Sequence, residues 1–121
     1  MVGPSRPHRR LARAAFAVAI LVSLAVLFWP ASGVPGSAPG VDKVVHLVLF
    51  AVLAATGRWA GVPVAALAPG LLAYGGVGEL LQALPVVGRS RSLLDWAADG
   101  LGVLLGLLAW AGVDLSRSRP R

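Results

Sequence analysis

Nine of the polar side chains between positions 42 and 99 stand out by type and spacing as able to do chemistry: Asp42, Lys43, His46, Glu79, Gln82, Arg89, Ser92, Asp95 and Asp99. Carboxylates and an imidazole suit general acid–base transfer. Guanidinium groups suit phosphate or carboxylate, because the planar fork donates two parallel hydrogen bonds. Local spacing pairs several of these residues. Asp42 and His46 are four residues apart, as are Asp95 and Asp99, and Glu79 precedes Gln82 by three. On a helix, each such pair shares a face. Arg91 belongs to the same stretch as Arg89 and Ser92. Glu79, Asp99 and His46 are the candidates for catalysis. A desolvated acid near another acid can act as general acid or base, with the imidazole as its partner. Ser92 lacks a nucleophile-elbow context.

The chain that must position these residues is otherwise apolar. Of its 121 residues, 57% are of the AVILMFWYC types and 13% are charged. Ordinary soluble domains carry about 25% charged residues. A small soluble fold leaves much of its surface exposed and could not hide this apolar excess. The composition therefore argues against a disordered chain and an ordinary soluble enzyme, and for an integral membrane protein. The net charge is +6, but its arginines gather at the ends: Arg6, Arg9, Arg10 and Arg13, then Arg117, Arg119 and Arg121. Nucleic-acid binding needs a basic patch on a polar scaffold, so no nucleic-acid partner is expected. Cysteine is absent, which removes disulfides, thiolate catalysis and Cys-ligated metals.

A bilayer-spanning helix needs roughly 20 mostly apolar residues. Four runs approach this, at about 11–30, 44–60, 62–84 and 93–113. The expected fold is all-α: a bundle of four transmembrane helices over residues 11–113, between a basic tail at 1–10 and another at 114–121. Residues 30–40, rich in Pro, Gly, Ser and Ala, read as an exposed loop. The second and third runs are joined by so few residues that they should form an antiparallel hairpin. The first run has a rival reading as a cleaved export signal, given Arg9-Arg10 before it and Ala31-Ser32-Gly33 after it. Its length and its bulky end at Leu27-Phe28-Trp29 favour a retained anchor.

Four spans put both termini on one side. That side carries eight of the eleven Lys and Arg residues, including Arg58; Lys43, Arg89 and Arg91 lie on the other. The basic excess places both termini in the cytoplasm of a multi-pass protein. The polar set then falls near the outer boundary. At about 1.5 Å per residue, Glu79 lies roughly 7–8 Å inside the end of its run, and Asp99 roughly 9 Å inside the start of its own. Ionisable groups at such depth are functional candidates by default. Asp95, Asp99, Gly102 and Gly106 form a stripe along the fourth run. Gly102-x-x-x-Gly106 lets a neighbouring helix pack closely. No HExxH or similar ligand spacing is present, and Arg89 competes for the carboxylates, so neither a metal nor another cofactor is expected.

Four ordered blocks carry a resemblance. Asp42-Lys43-Val44-Val45-His46 is similar to DKxxH, and Glu79-Leu80-Leu81-Gln82 to ExxQ. Arg89, Ser92, Asp95, Asp99 and Gly102 follow R-x-x-S/D-x-x-D-x-x-x-N-x-x-G, with Asp99 at the Asn position. This pattern, spanning Asp42 to Gly106, resembles the VanZ-like family. Arg91 also departs from it, standing where an aromatic or apolar residue is usual. The resemblance implies a small multi-pass protein of the bacterial cytoplasmic membrane. It links such a protein to teicoplanin resistance and to the cell envelope, and it makes the nine polar residues its site. Three functional expectations follow. The set binds a glycopeptide or an anionic envelope lipid, it catalyses a reaction on a lipid-linked envelope substrate, or it only holds a structural scaffold together.

Overall fold

The computed structural model describes residues 6–27, 41–82 and 93–118, with side chains at 9–26, 43–81 and 96–115. Four helices account for nearly all of them: α1 (Arg6–Leu27), α2 (Val41–Trp59), α3 (Val64–Gln82) and α4 (Leu93–Ser118). Among the described residues there is no strand. The helix ends differ from the apolar runs by a few residues. α1 starts within the Arg-rich segment, and α4 continues past Val113. Hydropathy marks where side chains stop being apolar, whereas backbone hydrogen bonding continues through good helix formers such as Ala, Leu and Arg.

Each of the last three helices buries a narrow stripe. On α2 it is His46, Phe50, Leu53, Ala54 and Gly57; on α3 it is Leu67, Leu71, Gly75, Gly78 and Glu79. On α4 it is Asp99, Gly102, Val103 and Gly106. Steps of three and four residues keep one face inward. Phe50, Leu53, Ala54, Leu67, Leu71 and Val103 form the core, with Phe16, Ile20 and Tyr74 packed on it. The rings of Phe50 and Tyr74 meet at a centroid distance of 5.8 Å and a 31° tilt.

Helix α2 is central: it packs on α1, α3 and, most extensively, α4. Glycine explains the last contact. A Cβ on Gly102 would collide with the Leu47 carbonyl oxygen, and one on Gly106 with that of Ala51. The α4 backbone therefore lies directly on the α2 backbone along a seam of small residues.

The α2–α3 connection is a tight reversal. Gly61, at φ 94°, ends α2. Val62 N–H donates to the Gly57 carbonyl at 3.0 Å and Gly61 N–H to the Arg58 carbonyl at 3.0 Å. This is the Schellman pattern, which satisfies the last carbonyls of a helix through a left-handed residue. Arg58 Nη1 adds a bond to the Val62 carbonyl at 2.8 Å. Pro63 then opens α3, its carbonyl accepting from Leu67 N–H at 2.9 Å. The connection is as short as expected.

Two helical segments, Val64–Leu81 and Trp96–Leu115, are long and apolar enough to cross a membrane. Only 28% and 22% of these stretches are buried in the bundle, unlike the core helix of a soluble protein. Leu101, Leu104, Leu105 and Leu108 of α4 point outward, as do Val77, Leu80 and Leu81 of α3. An apolar exterior of this extent marks an interaction surface.

Candidate functional site

The three buried stripes share a feature at one end of the bundle, where apolar residues give way to polar ones. His46 lies in the second turn of α2, Glu79 in the last turn of α3 and Asp99 in the second turn of α4. The structure brings these three together. One donor atom from each lies within 4.8 Å of the other two. Their exposures are 2%, 5% and 1% respectively. The closest contact joins His46 Nδ1 to Asp99 Oδ1 at 2.6 Å. With Asp99 as carboxylate, Nδ1–H donates and the ring is held in one tautomer and orientation, with the Nε2 lone pair as the base.

Local packing accounts for this arrangement. Gly102 sits one turn beyond Asp99, and its contact with the Leu47 backbone draws α4 against α2 beside His46. Gly75 of α3 faces the Asp99 carboxylate; a Cβ there would stand 2.7 Å from Oδ2. The neighbouring Gly76 lies under the Trp96 indole, whose Nε1–H donates to the Leu72 carbonyl at 3.0 Å. Glycines on α3 and α4 thus leave room for a carboxylate and an indole between helices.

Lys43, half-buried, stands one turn before His46 on α2. Lys43, His46, Glu79 and Asp99 each make further interactions. At the level of single atoms, His46 Nε2 and Glu79 Oε1 are buried and take part in no hydrogen bond. Asp42 belongs to α2, Gln82 ends α3 and Asp95 lies in the first turn of α4, but their side chains lie outside the described residues. Arg89, Ser92 and the neighbouring Arg91 lie outside them entirely.

One partly buried polar pair has no counterpart in the sequence reading. Ser23 Oγ donates to the Ile20 carbonyl at 2.7 Å and lies 2.8 Å from Tyr74 Oη. The serine proton is used by the carbonyl, so Tyr74 donates to Ser23. The pair ties α1 to α3 one residue before Gly75. Attention to charged residues alone passes it over. The usable signal is that Tyr74, the single tyrosine of the chain, stands in an apolar run, since a buried hydroxyl needs a partner.

Chemically, the site offers a carboxylate-oriented imidazole with a second carboxylate nearby, in an interior from which water is largely excluded. Such a set can exchange protons with a bound polar group, or can take up a cation. No family model, curated protein or solved structure matches this chain.

Proposed function

We propose that the chain is a multi-pass protein of the bacterial cytoplasmic membrane, with four spans and both termini cytoplasmic. Its polar site near the outer boundary binds the headgroup of an anionic envelope lipid or lipid-linked precursor, or a glycopeptide. The binding serves envelope homeostasis or glycopeptide resistance, as the VanZ-like resemblance implies. The observation that carries this reading is the meeting of His46, Glu79 and Asp99 from three helices at one end of an outwardly apolar bundle. Buried ionisable groups are costly in such surroundings and mark functional sites. Lys43, with Arg89 and Arg91 from the segment between α3 and α4, supplies the positive charge for the anionic group. The carboxylates take its hydroxyl or amine groups.

The test is binding by purified protein in nanodiscs. Anionic lipid-linked precursor, neutral lipid and teicoplanin would be compared. Binding of the precursor or of teicoplanin is expected to fall at least about tenfold in Arg89→Ala and Glu79→Gln, which is about 1.4 kcal/mol. Unchanged binding in both variants, with folding intact, sinks the reading. Loss of folding in Glu79→Gln without any ligand for the wild type points to the scaffold alternative.

The 2.6 Å His46–Asp99 pair beside Glu79 favours a second reading, intramembrane acid–base catalysis on a lipid-linked substrate. It requires product formation that Glu79→Gln abolishes while binding persists.

A further inference from the structure

We infer that His46, Glu79 and Asp99 form a binding site for a divalent transition-metal cation of the zinc type. The donor set is one imidazole and two carboxylates, a combination that suits Zn2+ and its first-row neighbours. The three donors come from three helices, and one atom of each lies within 4.8 Å of the others. A tetrahedral zinc with bonds of about 2.0–2.1 Å holds its ligands roughly 3.3 Å apart. The imidazole binds through Nδ1, with its proton moved to Nε2, so the ion replaces the His46–Asp99 hydrogen bond, and side-chain shifts on the order of an ångström close the site around it. All three side chains are buried, and two buried carboxylates are stabilised by a compensating double positive charge. The α2–α4 glycine seam holds two of the ligands in place before any ion arrives. Three protein ligands leave a fourth position for water or for an oxygen of a bound molecule, the pattern of catalytic rather than structural zinc.

No short sequence motif announces this site because its ligands are 33 and 20 residues apart along the chain. Among the described residues, Lys43 is a competing source of positive charge, half-buried one turn from His46. If its ammonium alone compensates the carboxylates, zinc does not enter.

The inference uses the same residues as the headgroup reading but does not depend on the headgroup. The full chain would be purified in detergent, stripped with chelator, dialysed and titrated with Zn2+ or Mn2+ alone. Metal content would be measured by elemental analysis. One ion per chain is expected for the wild type and for Asp114→Asn, whose side chain is exposed. Glu79→Gln and Asp99→Asn are expected to bind at least about tenfold more weakly. No uptake by the wild type overturns the inference, as does equal uptake by all folded variants. If the variants fail to fold, X-ray absorption on the zinc-loaded wild type decides. A nitrogen and oxygen shell containing one imidazole supports the site, and a shell with none overturns it. Zinc uptake without headgroup binding fails only the headgroup reading. Headgroup binding by protein that takes up no zinc fails only the metal site.

Discussion

At the residue scale, Asp99 does two things. Its Oδ1 orients His46 across the α2–α4 contact, and its Oδ2 fills the space left by Gly75 of α3. Asp99→Leu strands the His46 donor in an apolar interior, and such a loss costs about 1–3 kcal/mol. Gly75→Ala pushes a methyl into the carboxylate, and overpacking of this kind also costs about 1–3 kcal/mol. Both should lower the thermal unfolding temperature in detergent, measured by circular dichroism. An unchanged midpoint for Gly75→Ala would mean that the helices separate freely there. The Ser23–Tyr74 bond is predicted to behave as a coupled pair. Ser23→Ala and Tyr74→Phe should each destabilise, and the double variant by less than their sum. The expected coupling is about 0.6 kcal/mol, the average for hydrogen bonds between membrane helices.

At the scale of elements, glycines divide by what surrounds them. Gly102 and Gly106 press on the α2 backbone, whereas nothing lies near a Cβ built on Gly112. Where a bundle's apolar exterior meets lipid, its helices associate by close packing rather than by the hydrophobic effect. Gly102→Val and Gly106→Val should therefore separate α2 from α4 and sharply lower the unfolding temperature. Gly112→Ala should raise stability by about 0.5–1 kcal/mol, because it removes backbone freedom from an open helical position. Gly61→Ala costs about 1–2 kcal/mol, because a Cβ is strained at its positive φ. Equal effects at positions 102 and 112 would contradict the seam.

At the scale of the whole molecule, the absence of cysteine permits a direct test of topology. Single cysteines at Ser37, Val64, Ser92 and Ser116 would be probed in intact cells with a membrane-impermeant thiol reagent. Val64, an exposed residue at the start of α3, reports on the hairpin without disturbing Gly57, which packs against Leu67 and Phe16. Labelling at Ser37 and Ser92 alone is the outcome for four spans with the site outside. The reverse pattern puts the site on the cytoplasmic side and rejects an outer-leaflet ligand. A pattern with three spans supports removal of the first apolar run.

Helix number and order were legible from sequence because apolar runs and their Pro- and Gly-rich boundaries are local properties. So was the tight α2–α3 reversal. The placing of His46, Glu79 and Asp99 near one end of their helices followed from counting along each run. The inward faces, however, were settled only by tertiary contact. The Gly102–Gly106 seam selects which side of α4 meets α2, and so brings Asp99 to His46 across 53 residues of chain. Gly75 then admits the carboxylate beside α3, on the helix that carries Glu79. The Ser23–Tyr74 bond spans 51 residues and follows from no local spacing. Sequence determined which groups the bundle must accommodate, because their cost in an apolar interior depends on residue type. Tertiary structure alone decided which of them meet, because that depends on where two helix backbones can touch.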